Sequence, residues 1–143
     1  MIKEVKRNYL EITSLKKLKV SSAPLGDYSL KLLDPFNFQL NKFFYKNIGK
    51  KHKWIDRLVW SDSRWIDYVS NENVKTYIFK KEKDLVGFFE LFEHHEKKEI
   101  EIAYFGLLEE YQNKKLGSYL LTRAIKKSFE KNINRVWLHT CSL

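Results

Sequence analysis

Residues 103–124 read AYFGLLEEYQNKKLGSYLLTRA, and they are the most informative part of the sequence for predicting the fold. An apolar, strand-like segment runs into a short polar loop, and the loop opens an amphipathic helix. The first N–H groups of a helix lack partners within it, and the helix dipole adds partial positive charge there. Such a loop suits a phosphate or pyrophosphate group, with Lys114 and Lys115 beside it and Gly117 leaving room for close approach. An ordinary strand-to-helix turn with two solvated lysines would account for the same residues.

The segments around this stretch predict the architecture. Three strands joined by polar turns precede it, and the helix is followed by a last strand; these segments are 74–80, 85–92 and 99–107, then 116–131 and 135–141. The last strand must lie parallel to its partner because the helix crosses over between them. The sequence therefore predicts an α+β fold with a mixed, mostly antiparallel sheet covered by helices.

The first half of the chain is harder to interpret. Apolar spacing predicts a helix over 36–48 that stops at Gly49, and a second helix over 63–69 capped by Ser61 or Asp62. Residues 8–15 alternate loosely and predict a first strand or extended piece. Residues 21–34 contain Pro24 and Gly26 and are followed directly by Pro35, so they predict turns.

Length and composition limit the class of protein. The 143 residues, 43% of them hydrophobic, fit a single domain spanning 1–143 with a real core. The one cysteine excludes an internal disulfide framework and a cysteine-rich zinc site, and no His, Asp or Cys spacing indicates a metal. No apolar run approaches about 18 residues and the N-terminus lacks a signal-peptide core. We expect no membrane association and a cytoplasmic location.

The net charge of +9 indicates attraction to anionic partners. Most of the basic residues are Lys, and they are spread along the chain, whereas bidentate contacts to phosphates and bases favour Arg. An Arg-rich helix and an aromatic RNA-binding strand motif are both missing from the sequence. Nucleic acid is therefore not the favoured partner, and a solvated lysine surface is the simpler explanation of the charge.

Residues 111–121, YQNKKLGSYLL, resemble the acyl-CoA-binding motif of the GNAT N-acetyltransferases. That motif has Gln or Arg, two residues, Gly, one residue, then Gly or Ala before an apolar helix. Gln112 and Gly117 match it, and Lys115 stands where the motif has its middle glycine. The strand and helix order around the motif, the Trp-rich stretch 52–60 (HKWIDRLVW) and the ending 136–142 (VWLHTCS) also resemble a bacterial branch of this family.

The resemblance implies an N-acetyltransferase that moves acetyl from acetyl-CoA to a primary amine within a ternary complex, without a metal. Acetyl-CoA would be bound by the backbone of Phe105 and Leu107, which flank a gap between strands, and by the loop residues Gln112, Asn113, Lys114, Lys115, Leu116, Gly117 and Ser118. The alternative is a module that binds acyl-CoA without catalysis.

The resemblance also implies a glutamate base at Glu101, eleven residues before Gln112. Strand alternation would place Glu99, Glu101, Ala103 and Phe105 on one face, so Glu99 is a second candidate. A surface strand face paired with lysines is the ordinary alternative. Substrate contacts would come from Trp54, Trp60, Glu99 and His139, although large aromatics usually fill cores and His139 fits a structural role.

Family members usually continue beyond the last strand with another helix and two strands. Because this chain ends at Leu143, we expect a fragment or a shortened domain that lacks the tyrosine acid of many relatives. Missing strands would leave an open sheet edge, which could pair with a second copy to give a homodimer. The absent segment also favours the non-catalytic alternative.

Overall fold

The computed structural model describes residues 6–19 and 21–142, and for residues 6–10, 114 and 140–142 it describes the backbone alone. Within this part the chain forms six strands and three α-helices. In chain order they are β1 (Lys6–Ile12), β2 (Tyr28–Leu32), α1 (Phe38–His52), α2 (Asp62–Val69), β3 (Val74–Lys81), β4 (Asp84–His94), β5 (Glu99–Leu107), α3 (Lys114–Ser128) and β6 (Arg135–Ser142).

All six strands form one sheet in the order β1-β6-β5-β4-β3-β2. Neighbouring strands are antiparallel except β5 and β6, which α3 joins by a crossover. The predicted α+β class and the mixed, mostly antiparallel sheet are confirmed. The edge beside β6 is covered, because all of β1 pairs with β6, and the two edge strands of the sheet are β1 and β2.

The parallel strands β5 and β6 separate soon after they meet. They pair at Glu99–Arg135, Ile100–Val136 and Glu101–Trp137. Beyond these pairs β5 runs on to Leu107 and β6 to Ser142, with no further β5–β6 pair among the described residues. We call the space between them the interstrand gap; it lies at the end of the sheet where β5 leads into the loop before α3.

A β-bulge at Ala103 reverses the alternation of β5. Tyr104 pairs with Glu90 and Ile102 with Leu91, so Ala103 is an extra residue. Phe105 therefore packs with Ile102 against α3, in the same core cluster as Leu116 and Leu120. The expectation that Phe105 shares the face of Glu101 is wrong, because one inserted residue shifts every later side chain to the opposite face.

Tertiary packing also corrects two predictions in the first half. Helix α1 does not stop at Gly49 but continues to His52, and the C-cap residue Lys53 has a left-handed φ of 57°. Gly49 lies inside the helix, where a Cβ atom would be 2.9 Å from the Cβ of Trp54, so the glycine makes room for that indole. The stretch predicted as turns contains β2, whose partner β3 determines its register.

The sheet separates two apolar clusters. On the side of α3, the buried residues include Phe89, Leu91, Ile100, Ile102 and Leu120. On the side of α1, they are Phe44, Ile48, Ile78, Phe88 and Leu108. Helix α2 begins as predicted, since the Ser61 side chain accepts a hydrogen bond from the Arg64 N–H at 3.2 Å.

Candidate active site

The loop before α3 presents a helix N-terminus at the sheet end. Asn113 caps the helix, since its Oδ1 accepts a hydrogen bond from the Leu116 N–H at 2.8 Å. A Cβ atom on Gly117 would have Leu107 Cδ1, at 4.0 Å, as its nearest neighbour. Packing within the described protein therefore does not require a glycine at 117, and the space over the first turn is open to a ligand.

Gln112 connects this loop to α1. Its Oε1 accepts a hydrogen bond from Lys51 Nζ at 2.7 Å, and its Nε2 donates to the Leu107 carbonyl oxygen at 3.4 Å. The sequence does not point to Lys51 as a site residue, because it precedes Gln112 by 61 residues. Its only distinguishing feature in the sequence is that it belongs to the basic residues 50–53. The helix N-terminus thus has Lys51 near it together with the exposed Lys115, while the Lys114 side chain lies outside the described part.

Glu101 lies where the pairing of β5 and β6 ends, and His94 contacts it. His94 Nε2 and Glu101 Oε1 are 3.1 Å apart, and both side chains are partly buried. The His94 ring is 4.9 Å from the Phe92 ring of β4 and 5.7 Å from the Trp137 ring of β6. The imidazole therefore reaches across β5 at the closed end of the interstrand gap.

His94 was assigned to a turn from the sequence, and the structure places it as the last residue of β4. The signal that could have revealed its role is the register of the β4–β5 hairpin. That register pairs His94 with Glu99 and so brings its side chain close to Glu101, two residues further along β5.

The second acidic residue, Glu99, has a different partner. Arg135 Nη1 donates to Glu99 Oε1 at 3.2 Å, and the same guanidinium bonds Glu11 on β1. Glu99 is therefore held by a permanent cation, whereas Glu101 is held by an imidazole. His139 lies further along β6, with its ring 5.0 Å from that of Trp137.

A buried ion pair lies under α1 and α2. Arg57 Nη1 is 3.0 Å from Glu90 Oε1; Arg57 is 6% exposed and Glu90 is fully buried. Asn41 Nδ2 donates to Glu90 Oε2 at 3.0 Å and to Thr76 Oγ1 at 2.9 Å. Burial alone would lower the pKa of Arg57, but the Glu90 carboxylate beside it makes the net shift upward.

Five aromatic rings surround the Arg57 guanidinium, with centroids 4.1 to 5.8 Å away; they belong to Tyr45, Trp60, Trp65, Tyr68 and Tyr104. Burial raises the pKa of Tyr104 to about 12, against a smaller opposing effect of Arg57. Trp60, predicted to contact substrate, packs on Arg57 and stands 5.0 Å from the Trp65 ring. Its contacts are those of a residue that holds the 53–61 loop in place.

Trp54 borders a cavity of about 770 Å³ beside the end of α1. Its ring lies edge-to-face against Tyr104 at 4.8 Å, so it rests on β5 next to the bulge. The other lining residues are Lys46, Asn47, Gly49, Lys50, Lys53, Ile55 and Leu58. We call this space the α1 cavity; among the predicted substrate residues, Trp54 lies in its wall.

Two further features bear on the class of site. Within residues 6–19 and 21–142, no cluster of three or more His, Cys, Asp or Glu side chains is arranged to hold a metal ion. In the same ranges, no helix is both long enough and apolar enough to cross a membrane.

The helix N-terminus next to a separated parallel strand pair is the arrangement of the acyl-CoA N-acyltransferase fold, and comparison with known proteins agrees. A sequence model described as the acetyltransferase (GNAT) family matches residues 36–142. The match covers well over half of the chain, and the protein belongs to this family. A search of curated proteins found no match.

Solved structures show the same fold at low sequence identity. A GCN5-related N-acetyltransferase from Sphaerobacter thermophilus is 14% identical with a TM-score of 0.66, over 95% of this chain and 42% of that one. An aminoglycoside acetyltransferase from an uncultured soil metagenomic sample is 16% identical with a TM-score of 0.62, over 78% and 76%. N-acetylglutamate synthase from Neisseria gonorrhoeae, complexed with coenzyme A and N-acetyl-glutamate, is 19% identical with a TM-score of 0.59, over 81% and 26%.

Proposed function

We propose that this protein is an N-acetyltransferase that moves the acetyl group of acetyl-CoA to a primary amine of a small molecule or peptide. One observation carries the proposal: the interstrand gap ends beside the open first turn of α3, so a long donor has a place for both its thioester arm and its phosphates. A single domain of residues 1–143, a cytoplasmic location and a homodimer remain part of the same proposal.

The donor phosphates would lie at the N-terminus of α3, against the N–H groups of the first turn. Lys51 and Lys115 offset their charge, and Gln112 and Ser118 supply polar contacts at the same turn. The pantetheine arm would follow β5 in the gap, bonded to the backbone of Phe105 and Leu107. The side chains of these two residues pack in the core, which leaves only their N–H and C=O groups for the arm.

Transfer begins with a neutral amine, so a base must remove a proton. Glu101 takes that proton directly or through a water molecule. An ionised carboxylate only accepts hydrogen bonds, so when Glu101 is the base, the His94 Nε2–H donates to Glu101 Oε1 across the 3.1 Å contact. His94 is then a positioning residue for Glu101.

The amine nitrogen attacks the thioester carbonyl carbon, a C–N bond forms, the C–S bond breaks, and the CoA thiolate leaves. The second proton of the attacking nitrogen passes to the thiolate, directly or through water, so that the products are the amide and CoA with a free thiol. A backbone N–H of β5, for which Leu107 is the candidate, would polarise the carbonyl oxygen. Most of the rate enhancement would come from holding amine and thioester together.

A second candidate function is acyl-CoA binding without catalysis. The observation that favours it is Lys115, an exposed side chain at the position where the family motif has a glycine. Both functions require the donor to bind, and only the first requires Glu101. Turnover with an amine panel, read as thiol release, separates them.

The test is a thermal unfolding titration with acetyl-CoA. At about 100 times its dissociation constant, a ligand that binds only the folded state adds roughly 2.7 kcal/mol of stability, so the melting temperature should rise. Gly117→Glu should abolish this rise, because it places bulk and negative charge where the phosphates belong. Ser63→Glu, an equal charge change on exposed α2, should keep it. No rise at millimolar acetyl-CoA in the folded wild-type protein overturns the proposal.

A further inference from the structure

We propose that the acceptor is an amine that also carries a carboxylate or phosphate group, and that the α1 cavity binds this acidic group through Lys46, Lys50 and Lys53. This inference rests on the proposed function, because it names the class of substrate for the same site.

The α1 cavity has the size and chemistry of a small-molecule site. Its volume of about 770 Å³ lies within the range of roughly 300–1,000 Å³ that such sites usually have. The apolar part of its wall is formed by Trp54, Ile55 and Leu58, and the charged part is entirely basic. An amphipathic anion therefore complements it, whereas a polycation would be repelled.

The three cavity lysines have no acidic partner among the described residues. Lys42 and Lys127 have such a partner, at 3.1 Å from Asp62 and 3.4 Å from Glu130. Other exposed lysines in the described part of the chain, such as Lys31 and Lys80, also have none, so what sets the three apart is that they line one cavity together. Lys46 and Lys50 are one helical turn apart on α1, so they project on one side, and Lys53 follows at the helix end. Three unneutralised ammonium groups around one cavity attract an anion.

Basic residues near a helix C-terminus also complement the helix dipole. That effect explains why lysines occur at the end of α1, but it does not explain the apolar side chains that extend beside them. Ile55 is 67% exposed and Leu58 is 53% exposed. Apolar surface left open next to unpaired cations is typical of a site that an amphipathic ligand covers.

The acceptor is the occupant that remains for the cavity, because the donor is already assigned to the interstrand gap and the N-terminus of α3. Trp54 rests on Tyr104, the residue after the bulge in β5, so the cavity wall is in contact with the strand that borders the interstrand gap. On the same helix, Lys51 reaches Gln112 in the loop assigned to the donor phosphates. The cavity thus lies on the α1 side of the sheet, next to the path of the donor.

The experiment compares amines that differ only in the acidic group. 4-Aminobutyrate and 4-aminobutyramide form one pair, O-phosphoethanolamine and ethanolamine the other, and spermidine is the polycation. kcat/KM is measured by thiol release at low salt and expressed per neutral amine. We expect the acidic member of each pair to be preferred by about tenfold, a difference of ~1.4 kcal/mol that a few exposed ion pairs supply.

The variant Lys46→Glu, Lys50→Glu, Lys53→Glu should remove this preference through KM. The control Lys31→Glu, Lys80→Glu, Lys83→Glu carries the same charge change on exposed positions of β2, β3 and the β3–β4 turn, and should keep it. Circular dichroism verifies that both variants fold.

Equal kcat/KM for the two members of each pair overturns the inference. So does a cavity variant that loses affinity for CoA but not for dephospho-CoA, since the lysines would then serve the 3′-phosphate of the donor. If acetyl-CoA binds but no amine reacts, the inference is tested by the melting-temperature shifts that 4-aminobutyrate and 4-aminobutyramide cause. Equal shifts with the two compounds overturn the inference. Failure of the proposed function is a separate result: no melting shift with acetyl-CoA itself.

Discussion

At the scale of single residues, Arg57 and Glu90 are charged side chains that the fold buries in its interior as an ion pair. Each is an ordinary charged residue in the sequence, yet both are buried and bonded to each other. Removing two charges from water costs several kcal/mol each, which the pair offsets only with its other contacts. Asn41 bonds Glu90, and aromatic faces surround Arg57, so these contacts are present.

Arg57→Ala should lower the free energy of unfolding by about 3–5 kcal/mol, because it leaves the Glu90 carboxylate buried without its cation. Urea unfolding measures the change. The control is Arg64→Ala, whose exposed guanidinium also lies over Trp60, at 4.8 Å, and whose loss should cost no more than about 1 kcal/mol. Similar midpoints for both variants would show that the buried pair does not stabilise the fold.

Glu101→Gln keeps the shape of the side chain and removes the base. Since general-base catalysis is typically worth about 100-fold to 10,000-fold, kcat should fall by that order while acetyl-CoA affinity hardly changes. The loss should shrink at high pH, where more of the acceptor amine is already neutral. A pH–rate profile measures this, with exposed Glu96→Gln as the matched control. Equal turnover across the profile would remove Glu101 from the mechanism, and a parallel loss of donor binding would make its role structural.

The His94 contact has its own test. His94→Ala should lower kcat without weakening acetyl-CoA binding, because the Glu101 carboxylate loses the N–H that positions it. His94→Gln keeps an N–H donor and should restore much of the activity. A Gln variant as slow as the Ala variant would show that hydrogen bonding to Glu101 is not what His94 contributes.

At the scale of elements, two glycines look alike in sequence and differ in structure. Gly87 is in β4, where a Cβ atom would lie 2.5 Å from the Gly106 carbonyl oxygen. Gly117 is in the first turns of α3, where the nearest atom would be 4.0 Å away. The strand glycine is needed by the protein itself, and the helix glycine leaves space that a ligand can use.

Gly117→Ala should therefore keep or raise stability, by up to about 1 kcal/mol, because alanine is favoured over glycine in helices. It should keep acetyl-CoA binding, because the family motif accepts alanine at this position. Gly117→Leu should weaken acetyl-CoA binding, because its larger side chain enters the space assigned to the donor. Gly87→Ala should instead destabilise the fold by about 1–3 kcal/mol through overpacking. Denaturant unfolding and a calorimetric titration give the two readouts. Unchanged acetyl-CoA affinity in Gly117→Leu would mean that the donor does not approach this turn.

At the scale of the whole molecule, the charge of +9 favours anionic ligands and makes their binding depend on salt. Part of this charge lies at the end of α1 and at the start of α3, next to the proposed acceptor and donor sites. Exposed charges act only within about 8–10 Å at ordinary ionic strength, so position decides which lysines contribute.

The double variant Lys114→Ala, Lys115→Ala should weaken acetyl-CoA binding and reduce its dependence on salt. The control Lys80→Ala, Lys83→Ala removes the same charge from exposed positions at the β3–β4 hairpin and should change neither by a comparable amount. Binding is measured by calorimetry at several salt concentrations. If affinity and salt dependence are the same in both variants, the two α3 lysines are solvated surface residues.

Local sequence by itself determined much of the architecture and the family. Hairpin turns and alternation located the three central strands, amphipathic spacing located α3, and Ser61 marked the start of α2, because each of these signals acts over a few residues. Gln112 and Gly117 marked the loop proposed to bind the donor in the same way, through their fixed spacing.

Tertiary structure alone decided the geometry of the candidate site. The bulge at Ala103 and the separation of β5 from β6 depend on how distant strands align, which alternation within one strand does not encode. The contact of His94 with Glu101 joins two strands, and that of Lys51 with Gln112 spans 61 positions. The first contact depends on the register of the β4–β5 hairpin, and the second forms only when packing brings α1 to the loop before α3, so residue spacing alone did not predict either.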